Sequence, residues 1–156
     1  MLGFAFVFAG DLRDPNSGDL LYPLNLGIHE MGHLIFSWCG QFLMVAGGTI
    51  TQLAAPLFGM WNFYRQEDFF ALTLCFGWLA TNLLNVSRYM ADARSMDIPL
   101  LSVGGGDVIH DWNYLLGHMG LLPFDHLLAG FVWCLGILSM LVCFVAGGWL
   151  LWQMRN

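Results

Sequence analysis

At 156 residues the chain has the size of one ordinary domain. Yet 58% of it is hydrophobic, only 10% is charged and no lysine occurs, where soluble domains carry about 25% charged residues; a mean hydropathy of +0.64 fits an integral membrane protein. The formal charge of −6 comes with five arginines scattered singly, which leaves no basic patch to neutralise phosphates and excludes nucleic acid as a partner.

Residues 2–10 are apolar but too short to span a bilayer. They lack the positive leader and small-residue cleavage site of a signal peptide, and read as the end of a span or an interfacial segment. Residues 11–19, with Pro15, Asn16, Ser17 and Gly18, form a polar turn-rich loop. From Leu20 to Tyr64 the chain is nearly continuous apolar sequence. As helix it would extend roughly 65 Å, about two crossings of a ~30 Å hydrocarbon core. Residues 20–64 are therefore expected to form a helix pair, broken near Gly40-Gln41 or Gly47-Gly48. A re-entrant segment at 46–64, kinked at Pro56, is the alternative.

Arg65-Gln66-Glu67-Asp68 reads as a turn, and 69–91 as a third span that gathers Asn82, Asn85, Ser87 and Arg88 toward its end. The polar half of that helix cannot face lipid cheaply. Residues 92–125 form a long polar connection with a short helix after His110-Asp111-Trp112-Asn113, and connections this long are usually functional. Residues 127–152 are the last span, with Trp149 and Trp152 as interface anchors. The expected fold is a single all-α transmembrane domain over 1–156, with about four transmembrane helices or three plus a re-entrant segment. The arginines fall on both sides of this topology and give no orientation. Cys39, Cys75, Cys134 and Cys143 lie singly in apolar runs and read as packing residues.

The chemistry concentrates at His29-Glu30-Met31-Gly32-His33. Two histidines four apart on a helix project from one face and can grip one Zn2+, while the intervening glutamate can act on a water as general base. In an apolar run these residues are costly, about 2.5–3.5 kcal/mol for a charged side chain at mid-membrane depth. A third ligand is needed. Phe36 and Cys39 stand where a glycine-spaced third histidine would require Gly and His, and Glu67 sits in a charged turn. That leaves Asp111, His110 and Asp92, ranked in that order. His110 could instead orient a ligand, and Asp92 could pair with Arg88 or Arg94. Asn82 and Asn85 are candidates for binding a substrate carbonyl, or else interhelical hydrogen-bonding residues. His118 and His126 are weaker candidates, at a short amphipathic helix and at the membrane boundary.

The His29–His33 segment, followed by Leu34-Ile35-Phe36, resembles the zinc-binding helix of the site-2-protease-like membrane metallopeptidases. That resemblance implies zinc on His29, His33 and a distant aspartate, Glu30 as general base, and peptide hydrolysis within the membrane. Residues 24–122 are also similar to a set of small bacterial membrane proteins, through Gly27–His33, Gly47–Leu53, Tyr89–Arg94 and His110–Gly117. The Leu-Asp-Gly motif of the proteases is absent, with Asn82-Leu83-Leu84-Asn85 leading to Asp92 as its nearest echo, and no PDZ-type insertion is present.

The resemblance implies a zinc hydrolase in the bacterial inner membrane, acting on a transmembrane or juxtamembrane peptide in contact with membrane lipid. The alternative is a non-catalytic subunit packed against partner membrane subunits, with or without a structural metal.

Overall fold

The computed structural model describes residues 21–99 and 109–156. The apolar stretch at 2–10, the loop at 11–19 and the glycine run at 104–106 fall outside the described residues. Within them the protein is helical: α1 (Tyr22–Ile35), α2 (Gln41–Arg65), α3 (Phe69–Ala91), a short α4 (Asp111–His118), and α5 (Asp125–Gln153), which a 3-10 turn at Leu122–Phe124 leads into.

Three stretches are long and apolar enough to cross a membrane: Gln41–Arg65, Phe69–Ala91 and Leu122–Gln153. The histidine helix is shorter than a span. Its 14 residues extend about 21 Å, against a hydrocarbon core of ~30 Å. Pro23 sits in the first turn, where its missing N–H costs nothing. The chain leaves α1 through a turn in which the Ser37 hydroxyl donates to the Leu34 carbonyl at 2.8 Å. It enters α2 at Gly40, whose φ of +88° favours a residue without a Cβ.

The helix break is therefore before Gln41, and Gly47-Gly48 lie inside α2. Residues 46–64, the alternative re-entrant segment, lie within α2, which runs unbroken through Pro56. As an interior proline, Pro56 cannot donate to the Gln52 carbonyl four residues earlier.

Glycine inside α2 serves packing. A Cβ on Gly32 of α1 would collide with the backbone of Gly47 and lie 2.7 Å from the Thr51 hydroxyl. A Cβ on Gly47 would lie 2.7 Å from the Gly32 carbonyl oxygen and 2.8 Å from the Phe36 ring. The two helices thus cross backbone to backbone, as small residues permit inside membranes.

Helix α3 begins at Asp68, whose carboxylate accepts the Ala71 N–H at 2.9 Å. It packs antiparallel to α5. The Ser87 hydroxyl donates to the Ala129 carbonyl and the Ser139 hydroxyl to the Phe76 carbonyl, each at 2.8 Å. An ion pair closes one end of this helix pair, Arg94 Nε to the fully buried Asp125 at 2.7 Å. Packing follows the order α1, α2, α3, α5, with α4 laid against α2 and α3. Trp149 and Trp152 are exposed near the end of α5.

The crossing predicts unequal effects from two chemically identical substitutions on α1. Gly32→Ala should destabilise the protein by about 1–3 kcal/mol through overpacking. Gly27→Ala, whose Cβ would meet nothing within 4 Å, should be neutral or stabilising by up to about 1 kcal/mol. Unfolding of both variants in detergent micelles checks this; equal stabilities would contradict the close crossing.

Candidate metal centre

On α1 the residues Asn25, His29 and Gly32 are the buried ones, the i, i+4, i+7 stripe of one helical face. His33 lies one turn beyond His29 and is half-buried. The two rings meet edge to face with centroids 4.8 Å apart. Gly48 of α2 backs both of them. A Cβ there would lie 2.6 Å from His29 Nε2 and 2.7 Å from His33 Cε1. Bringing α2 this close to two imidazoles requires glycine at that position. Gly48 is about 10 Å along α2 from its first residue, which places the histidines a few turns inside one end of the bundle.

Across from them stands Asp111, the first residue of α4, where a carboxylate is favoured by the helix dipole. Its Oδ2 lies 2.8 Å from His29 Nε2 and 3.3 Å from His33 Nε2. One ligand atom from each of the three residues lies within 4.8 Å of the others. On a tetrahedral zinc with ~2.0–2.1 Å bonds, ligand atoms stand about 3.3 Å apart. The cluster has the dimensions of such a site.

The far side of each imidazole fixes what the near side can offer. His29 Nδ1–H donates to Gln52 Oε1 at 3.0 Å. His33 Nδ1–H donates to the Met44 carbonyl at 2.9 Å. With the ring proton on Nδ1 in each neutral imidazole, both Nε2 atoms present lone pairs. Those lone pairs face a carboxylate oxygen in a buried setting. Three acceptors held together repel one another unless a cation or protons lie between them. The outward hydrogen bonds on Nδ1 are the arrangement metal-ligating histidines use.

The other two candidates for third ligand are engaged with each other. His110 Nδ1 accepts the Asn113 N–H at 3.2 Å and caps α4. The proton is then on Nε2, which donates to Asp92 Oδ2 at 3.2 Å. Asp92 also accepts from the Ser95 hydroxyl at 2.7 Å and from the N–H groups of Asp97 and Ile98 at 2.9 and 3.0 Å. Burial pushes its carboxyl up, but these donors outweigh burial and hold it below the ordinary carboxylate range. Asp92 therefore ties the end of α3 to the start of α4, and Arg94 pairs with Asp125 rather than with it.

Glu30, next to His29 in the chain, is half-buried. Among the described residues no hydrogen bond occupies its carboxylate. The Asn82 and Asn85 amides donate to the carbonyls of Trp78 and Thr81 on their own helix, each at 2.9 Å. Neither is hydrogen-bonded to the cluster among the described residues. His118, exposed at the end of α4, packs near Phe42 and stacks on Tyr114, and His126 is exposed.

Sequence reasoning missed Gly48, Gln52 and Tyr89. Gln52 carried a signal, since a glutamine buried in an apolar helix needs a partner. Tyr89 carried none.

No protein-family model, curated protein or solved structure matches the chain.

If Asp111 is a ligand and His110 a support, the two neighbours should differ sharply. Asp111→Ala should lose stoichiometric zinc, while His110→Ala should retain it. Gln52→Leu, which leaves the His29 Nδ1–H without its acceptor, should weaken zinc binding by about 10–100-fold. Metal analysis after dialysis against graded chelator distinguishes these; zinc lost in His110→Ala and kept in Asp111→Ala would reverse the assignment.

Proposed function

We propose that this chain is a membrane-embedded zinc-dependent hydrolase, and specifically an intramembrane endopeptidase of the site-2-protease type, in the bacterial inner membrane. The observation that carries the reading is the set of three lone-pair donors, His29 Nε2, His33 Nε2 and Asp111 Oδ2, converging within 4.8 Å in a largely buried site. Protons on both Nε2 atoms would let the two imidazoles donate to Oδ2, but would set two imidazolium charges against one carboxylate. One cation serves all three donors. Two imidazoles and one carboxylate are also a ligand set used by hydrolytic zinc, and they leave a fourth position for water or substrate.

His29, His33 and Asp111 would hold the ion. When bound, zinc supplies Lewis-acid polarisation of water and of the substrate carbonyl. The remaining chemistry belongs to the chain. Glu30, next to His29 and without a hydrogen-bonding partner among the described residues, takes a proton from water as the water oxygen bonds to the peptide carbonyl carbon. It then delivers that proton to the leaving nitrogen as the C–N bond breaks, which balances the hydrolysis. Gln52 and the Met44 carbonyl hold the two imidazoles in the tautomer that directs Nε2 inward. The substrate is an apolar peptide segment, locally unwound so that its carbonyl can reach the site. Placement of the cluster a few turns inside the bundle supports a bond cut near a membrane surface.

Glu30→Gln keeps the shape of the side chain and removes its basicity. The variant should retain full zinc content and lose peptide hydrolysis by at least about 10²-fold. Cleavage of an internally quenched apolar peptide in detergent, with zinc measured on the same sample, checks this. Wild-type cleavage unaffected by Glu30→Gln would count against the hydrolase and favour a structural role for the metal.

A further inference from the structure

Tyr89, near the end of α3, projects its ring between the two parts of the site. The ring lies 6.4 Å from that of His29 and 4.3 Å from that of His110, the latter tilted by 36°. Its hydroxyl oxygen accepts the backbone N–H of Asp111 at 3.1 Å. That contact holds the hydroxyl beside the residue whose carboxylate faces the two histidines. It uses a lone pair on the oxygen and leaves the O–H hydrogen free. Among the described residues no acceptor takes that hydrogen. A phenol with an unspent donor, fixed by ring packing and by a backbone contact, is preorganised to hydrogen-bond something that arrives.

The imidazole donors of the site are already committed. His29 Nδ1–H goes to Gln52, His33 Nδ1–H to Met44 and His110 Nε2–H to Asp92. Glu30 is an acceptor when it acts as a base. Amide hydrolysis places negative charge on the carbonyl oxygen as water adds, and a fixed donor aimed at that oxygen is among the largest contributors to such catalysis.

We propose that Tyr89 is a catalytic residue whose hydroxyl donates a hydrogen bond to the carbonyl oxygen of the bond being cleaved. The inference rests on the hydrolase reading above. No proton is transferred: the phenol stays neutral and the hydrogen bond strengthens as charge develops on the acceptor. The ligand that fits this donor best is a tetrahedral oxyanion, so an apolar peptide phosphonamidate is the appropriate probe.

In Tyr89→Phe, zinc affinity should stay within a few-fold of wild type. The kcat on the quenched apolar peptide should fall by about 10²–10³-fold with KM little changed. Phosphonamidate binding should weaken by a similar factor, while binding of the uncleaved parent peptide should not change. A ring-fluorinated tyrosine incorporated in place of Tyr89 keeps the ring and strengthens the donor, and should tighten phosphonamidate binding.

Unchanged kcat and phosphonamidate affinity in Tyr89→Phe would overturn the proposal. So would a loss of zinc that accounts for the whole loss of activity, because the hydroxyl would then only position Asp111. Glu30→Gln, run in parallel, separates the two failures. If Glu30→Gln is inactive and Tyr89→Phe fully active, only the role of Tyr89 falls; if neither variant differs from wild type, the hydrolase reading falls as well.

Discussion

Two imidazole nitrogens and a carboxylate oxygen are pointed at one another in a part of the molecule largely closed to water. With both imidazoles neutral and protonated on Nδ1, each of the three is an acceptor, and protons on Nε2 or a cation between them must supply the attraction. The fold nevertheless holds them in place: Gln52 and the Met44 carbonyl fix the imidazoles from behind, and the Tyr89 hydroxyl accepts the backbone N–H of Asp111. Holding such acceptors together with nothing between them would cost about 1–3 kcal/mol each. A cation among them would convert that cost into binding free energy.

The close contact of α1 with α2 brings the two histidines into this position. Gly32, Gly47 and Gly48 let the two backbones approach until Gly48 lies under both rings. Glycine in a helix interior costs about 1 kcal/mol relative to alanine, so a glycine pair reads locally as a break. Here backbone packing outweighs that propensity, and the break falls at Gly40 instead, where φ is positive. Helix α1, shorter than a membrane span, packs along α2. Asn25 strengthens the hold from the other side, accepting the Trp78 indole N–H from α3 at 2.8 Å.

Composition made the helical, membrane-embedded character legible, and the i, i+4 spacing made the His29–His33 pair legible. Both are local properties. The third member lies 82 residues away from His29 in the chain, and no periodicity links the two. Asp111 could be placed first among three candidates, but not separated from His110 by residue type. What separates them is the register of α4, which begins at Asp111 and leaves His110 as its cap, turned toward Asp92. Asn82 and Asn85, legible as polar groups in an apolar helix, donate their amides to carbonyls four residues back on their own helix, while Asn82 Oδ1 is buried without a hydrogen-bond partner among the described residues. Gln52 and Tyr89 owe their roles to helix packing. Glu30, next to His29 in the chain, is half-buried.

The account depends most on one claim, that His29, His33 and Asp111 hold a single zinc ion. X-ray absorption at the zinc edge, on protein purified without added metal and then loaded with one equivalent, tests it most directly. The expected spectrum shows two imidazole nitrogens and carboxylate oxygen at about 2.0–2.2 Å with no sulfur neighbour, and the imidazole signal falls by half in His33→Ala. Absence of tightly held zinc, or a spectrum with sulfur at about 2.3 Å that His33→Ala leaves unchanged, would contradict the account.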